Sequence, residues 1–180
     1  MPNPLRVGVV GAESTGKTTL CERLAKHYGG EYVEEYGRTY TKARYGRGET
    51  GDWVAYEFEH IAKEQARLEE LAAIGAADVL ICDTDALTTA IWYEHFLGEP
   101  APPWEIANRI DLYLLSGLDV PFQQDDIREG EHSREHMHAR LLEELQKSGI
   151  AIVELSGGVE ERERTAIAAI DAAREMTKGR

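Results

Sequence analysis

Gly11-Ala12-Glu13-Ser14-Thr15-Gly16-Lys17-Thr18 decides how this chain is read. The eight residues satisfy G-x-x-x-x-G-K-[ST], the phosphate-binding P-loop pattern. Upstream lies an apolar, strand-like run, Leu5-Arg6-Val7-Gly8-Val9-Val10. Downstream, from Thr18 to Tyr28, Leu20, Cys21, Leu24 and Ala25 recur at helical spacing. Strand, glycine loop and helix in that order aim backbone N–H groups and a helix N-terminus at an anion. The pattern predicts that Gly11, Ala12, Glu13, Ser14, Thr15, Gly16, Lys17, Thr18 and Thr19 bind a nucleoside triphosphate. Lys17 reaches its β- and γ-phosphates, and the Thr18 hydroxyl holds Mg²⁺.

Composition sets the bounds around this motif. At 180 residues the chain is expected to form one domain over 1–180, with the hydrophobic (42%) and charged (29%) fractions of an ordinary globular protein. No apolar run reaches the length of a membrane span and no N-terminal signal pattern is seen. Cys21 and Cys82 lie in apolar segments and read as reduced core residues, which predicts a cytoplasmic protein. The net charge of −13 and pI near 4.9 argue against a nucleic-acid or anionic-membrane partner. They do not oppose ATP, because a P-loop makes its own local positive field.

Apolar β-type runs alternate with helical patterns along the whole chain, the mark of a parallel α/β sheet. Strands are expected at Leu5–Val10, Glu31–Glu35, Asp78–Asp83, Asp111–Leu115 and Ile150–Leu155. Helices are expected at about Asp52–Ile74, Leu87–Leu97, Ser133–Lys147 and Val159–Met176, besides the one after the P-loop. The expected fold is a three-layer α/β/α sandwich around a five-stranded parallel sheet, with ligands at the strand C-termini.

A P-loop needs a second acid at the end of a neighbouring strand to hold the metal. Val79-Leu80-Ile81-Cys82-Asp83 supplies it, so Asp83 joins Thr18 as the expected Mg²⁺ pair. Thr84 and Asp85 follow, where many motion-driving ATPases carry a water-activating Glu, and this favours transfer to a bound acceptor over hydrolysis. The second strand ends in Glu34-Glu35-Tyr36-Gly37-Arg38. Glu35 at that turn is the expected general base, with Asp85, otherwise a helix cap, as its rival. Arg38 is expected on a phosphate or the acceptor, whereas Lys42, Arg44 and Arg47 read as a solvated basic face. The polar stretch at about 123–136 reads as a lid whose Arg128 and Arg134 stabilise the transferring phosphoryl group. His132-Ser133-Arg134-Glu135-His136 also spells H-x-x-E-H, a zinc pattern that this charged context disfavours. Gly157, after the last strand, would allow close approach of the nucleotide base.

Taken together, several segments resemble a known family. They are Gly11–Thr19, the Glu-Tyr-Gly-Arg turn at Glu35, Glu57–Gln65, Cys82-Asp83-Thr84-Asp85 with Thr88-Thr89, and Asp111–Leu115. They look like the ribosylnicotinamide kinase domain of the NadR-type proteins of NAD metabolism, in order over nearly the whole chain. The resemblance implies an ATP- and Mg²⁺-dependent kinase that phosphorylates the 5′-hydroxyl of nicotinamide riboside to nicotinamide mononucleotide. The chain is read as lacking that family's adenylyltransferase and helix-turn-helix regions, so those functions do not carry over. Asp119-Val120-Pro121-Phe122 and Asp125-Asp126-Ile127-Arg128 also depart from the family pattern.

Such an acceptor needs carboxylates for its ribose hydroxyls and an aromatic face for its cationic ring. Glu35 and Asp85 suit the first; Tyr36, Trp53 and Trp92 are candidates for the second. The alternatives are a kinase for another nucleoside or small alcohol, and a nucleotide-dependent ATPase or switch module.

Overall fold

β1 (Leu5–Val10), β2 (Tyr32–Val33), β3 (Val79–Asp83), β4 (Leu112–Ser116) and β5 (Ala151–Leu155) form one parallel sheet in the order β2-β3-β1-β4-β5. This arrangement comes from a computed structural model that describes residues 3–76, 78–107, 109–122 and 133–178. Among the described residues six helices flank the sheet: α1 (Lys17–Tyr28), α2 (Tyr36–Gly46), α3 (Ala55–Gly75), α4 (Ala86–Leu97), α5 (Arg134–Ser148) and α6 (Val159–Lys178). The three-layer α/β/α fold expected from the alternation of patterns is the fold observed.

The period-2 alternation of the central strands divides the core into two layers. Val7, Val9, Leu112 and Leu114 pack with Leu20, Leu24 and Ile170 of α1 and α6. Their neighbours Val10, Tyr113 and Leu115 face the opposite way, toward Ile91, Met137 and Leu141 of α4 and α5. Both faces of the sheet are therefore covered, which is why β1 and β4 are buried along their length. Gly8 serves this packing directly: a Cβ there would lie 3.0 Å from the Tyr113 ring.

Two expectations need correction between the second and third strands. β2 is only two residues long rather than running from Glu31 to Glu35, because the chain leaves the sheet edge and enters α2. Hydrophobic periodicity does not reveal α2, whose inward face is made by Thr41 and Arg44 rather than by apolar residues. Arg44 is accordingly buried, at 4% exposure, and not part of a solvated basic face; Lys42 and Arg47 are exposed as expected. Among the described residues, no helix is long and apolar enough to cross a membrane.

Candidate active site

Parallel pairing brings the first functional groups together. Val9 of β1 is in register with Asp83 of β3, so the loop leaving β1 runs beside the carboxylate that ends β3. Gly16 caps α1 in the left-handed conformation (φ 81°, ψ 16°), and among the described residues no side chain caps that helix N-terminus. The N-terminus and its partial positive charge therefore open toward the loop's concave side. Ala12 O gathers the loop by accepting hydrogen bonds from Thr15 Oγ1 and Lys17 Nζ, each 2.8 Å.

Thr18 Oγ1 donates to Asp83 Oδ2 over 2.6 Å. Asp83 Oδ1 is buried and, among the described residues, has no hydrogen-bond partner. Burial pushes the Asp83 carboxyl above its usual range, and the nearby Lys17 charge and the Thr18 hydroxyl pull it back. An orphaned carboxylate oxygen beside a hydroxyl is the donor set a hard cation such as Mg²⁺ uses, with phosphates and water completing the shell. The residues present fit the ion.

One cleft of about 740 Å³ runs across the P-loop, Lys17 and Thr18; Ala12 and Asp83 are not in its lining, and Asp83 adjoins it through its bond from Thr18. On the β4–β5 side it is lined by Asp119, Val120, Pro121, Gly157 and Arg162. The P-loop, Thr18 and Thr19 included, forms its middle. On the β2–β3 side it is lined by Glu35, Arg38, Trp53, Phe58, Trp92 and Phe96. The rings of that side form a continuous wall: Trp53 lies 5.2 Å from Phe58 and 5.6 Å from Phe96, and Trp92 stacks on Phe96 at 5.8 Å.

The cleft gathers some of the residues picked from the sequence and leaves others outside. Glu35, at the N-cap position of α2, and Arg38 both line it, whereas Glu34 is exposed. Trp92 and Gly157 line it as well; Gly157 has φ 86° and donates its N–H to Asp119 Oδ2 over 2.5 Å. Tyr36 is not in the lining: its hydroxyl meets His60 Nε2 at 3.1 Å.

Asp85 is also outside the lining. Its Oδ1 accepts from Thr88 N (2.9 Å) and Thr88 Oγ1 (3.0 Å), capping α4, and its Oδ2 accepts from Tyr113 OH (2.5 Å). Burial raises its carboxyl, against the pull of those donors. The two aspartates diverge because Thr84 between them adopts φ 68°, a left-handed conformation uncommon for a β-branched residue. Asp83 thus faces the P-loop and Asp85 the core.

Arg128 lies outside the described residues. Arg134 is buried and donates from Nη2 to Val120 O over 2.9 Å, with its guanidinium 5.6 Å from the Phe122 ring centroid. It braces the segment lining the cleft and is not itself in the lining. His132 of the zinc-like pattern is not among the described residues, and among those that are, no group of three or more His, Cys, Asp or Glu could hold a metal.

Sequence reasoning missed Arg162. It is buried, donates from Nε to Gly157 O (2.9 Å) and from Nη1 to Thr15 O (3.0 Å), and pairs with the Asp119 carboxylate. One guanidinium thus joins the P-loop to the loops after β4 and β5. The available signal was its place four residues before Ala166 and eight before Ile170, on the apolar stripe of α6. Phe58 and Phe96 were missed as wall residues because an aromatic at helical spacing reads as core.

Comparison with known proteins bears on this geometry. Residues 6–162 match the sequence family described as AAA domain. The trifunctional NAD biosynthesis/regulator protein NadR of Escherichia coli K12 is 30% identical over 155 residues, covering 82% of this chain and 37% of that protein. The chain therefore spans little more than a third of the curated relative it matches. Among solved structures, a NadR protein in complex with NR superposes with a TM-score of 0.72 at 24% identity, over 96% of this chain and 51% of that one. Thymidylate kinase from Ehrlichia chaffeensis superposes with a TM-score of 0.63 at 14% identity, over 94% and 99%. The fold is that of the P-loop kinases. Since the matched span runs from the second residue of β1 into α6 and takes in both the P-loop and Asp83, the chain belongs to the AAA domain family.

Proposed function

We propose that this chain is a cytoplasmic, ATP-dependent kinase that phosphorylates the 5′-hydroxyl of nicotinamide riboside, giving nicotinamide mononucleotide. The observation that carries the reading is the continuity of one cleft. A phosphate cradle at its middle opens onto a compartment holding a carboxylate, a guanidinium and the wall of Trp53, Phe58, Trp92 and Phe96. The likeness to NadR, and to a NadR structure in complex with NR, supports nicotinamide riboside as the acceptor.

The chain's own groups suit an in-line transfer. Lys17 exchanges its bond with Ala12 O for the β- and γ-phosphates, while the amides of the loop and the start of α1 bind phosphate oxygens. Thr18 and Asp83 hold Mg²⁺, which when bound neutralises charge on the transferring phosphate. Glu35 accepts the proton of the acceptor hydroxyl as the new O–P bond forms and the bond to the ADP oxygen breaks. Arg38, near enough to Asp83 to act on it electrostatically, supplies positive charge where the two substrates meet. The aromatic wall offers π faces to a cationic ring. Gly157, Asp119 and Val120 flank the place of the donor base, Arg134 braces Val120 through its carbonyl, and Arg128 is assigned to the transferring phosphoryl group.

ADP release measured with and without a panel of nucleosides tests the reading. Stimulation by nicotinamide riboside above all others supports it. Stimulation by a different nucleoside alone overturns the acceptor, and release indifferent to every acceptor overturns the kinase.

A further inference from the structure

Trp53, one ring of the acceptor wall, sits on the 47–54 connection between α2 and α3, and a buried ion pair outside the cleft holds it there. Arg44 Nε meets Glu57 Oε1 at 2.9 Å, and both side chains are 5% exposed. The remaining N–H groups of Arg44 grip the connection: Nη1 donates to Glu49 O (3.0 Å), and Nη2 to Gly51 O (2.8 Å) and Asp52 O (3.0 Å). Glu57 Oε2 accepts the N–H of Val54 at 3.1 Å. The carbonyl before Trp53 and the amide after it are thus both tied to the same pair. The Arg44 guanidinium also lies over the Trp53 ring, 4.5 Å from its centroid. Neither Arg44 nor Glu57 lines the cleft, while Trp53 does.

The connection needs such a mount. Gly48 and Gly51 would meet nothing within 4 Å even with a Cβ, so they contribute backbone freedom and no packing. A planar guanidinium can bridge three carbonyls, a carboxylate and a ring face at once; an ammonium cannot.

We infer that Arg44 and Glu57 are positioning residues for the phosphoryl acceptor, fixing the ring of Trp53 and thereby setting acceptor affinity without touching the donor. This rests on the nucleoside-kinase reading above. Tyr40 of α2 adds to the mount: its hydroxyl donates to Glu57 Oε1 over 3.2 Å and its ring lies 6.3 Å from that of Trp53.

Arg44→Lys keeps a cation beside Glu57 but loses the fork. The KM for the acceptor is expected to rise at least about tenfold, with the KM for ATP and the kcat at saturating acceptor within about threefold of wild type. In the unliganded protein, tryptic cleavage after the exposed Arg47 is expected to accelerate at least about fivefold. An unchanged acceptor KM, or acceptor and ATP KM values rising together, overturns the inference. If wild-type protein phosphorylates no nucleoside, the functional reading fails on its own; equal cleavage rates in the two proteins then overturn the mount, and faster cleavage in the variant upholds it.

Discussion

Thr18 Oγ1 and Asp83 Oδ2 stand 2.6 Å apart although 65 residues separate them in the chain. The pairing follows from β1 and β3 being parallel neighbours in register, which sets the start of α1 beside the end of β3. The second carboxylate oxygen of Asp83 is left buried and unpartnered among the described residues. A buried, unmatched acceptor is costly unless a ligand uses it. From this pair outward, the cleft and the core beneath it set four expectations.

Glu35→Gln is expected to bind ATP with wild-type affinity and to transfer phosphate about 10²- to 10⁴-fold more slowly, as loss of a general base requires. Nucleotide titration and ADP release under saturating acceptor check the two halves separately. A variant with full activity removes Glu35 from the mechanism.

Asp85→Ala is expected to act on stability. It strips α4 of its cap and leaves Tyr113 OH and the Thr88 N–H without their buried acceptor, a loss of about 2–4 kcal/mol. The kcat of the folded fraction should stay within about tenfold of wild type. Urea melts beside activity per folded molecule give the answer; a stable but inactive variant would instead put Asp85 in the chemistry.

Glu69 makes stability depend on pH. Burial pushes its carboxyl up to about 7 from an ordinary 4.5, against the opposing hydrogen bond from Gln65 Nε2. Between those values the native state holds a proton that the unfolded chain has released. Glu69 therefore destabilises the native state increasingly as pH rises from 4.5 to 7, by up to about 3 kcal/mol, and no further above that. Glu69→Gln should gain stability over wild type at pH 8 and lose that advantage by pH 4.5. Denaturation curves from pH 5 to 8 decide it, and a variant weaker than wild type at pH 8 refutes it.

Arg162→Ala is expected to raise the KM for ATP about tenfold or more while moving the acceptor KM by less than about threefold. The asymmetry follows from its partners Thr15, Gly157 and Asp119, which belong to the phosphate cradle and the β4–β5 side. Equal effects on both substrates would deny that division. Arg162→Lys, which keeps the charge, separates a folding defect from a lost connection.

The parts of this fold that were legible in the sequence are those with local causes. The P-loop, β1, β3 and α1 announce themselves because glycine placement and apolar spacing act within a few residues of one another. α2 did not, because its buried face is an arginine whose solvation is replaced by carbonyls and a carboxylate from a different segment. The sequence left Asp85 open between helix cap and rival base, because the left-handed backbone of Thr84 that turns it away from Asp83 leaves no mark there. Arg162 was hidden inside the charged run Glu160–Arg164, where its inward position on α6 shows only once the helix is packed.

The bond from Arg162 to Thr15 spans 147 residues. A ribosome releases the P-loop long before it releases the helix that pins it. Until α6 has emerged and docked, Thr15 O lacks that donor and the P-loop lacks this link to Gly157 and Asp119. The proposed nucleotide site is begun by β1 and completed only by α6, so during synthesis any hold on a triphosphate waits for a residue 147 positions after Thr15.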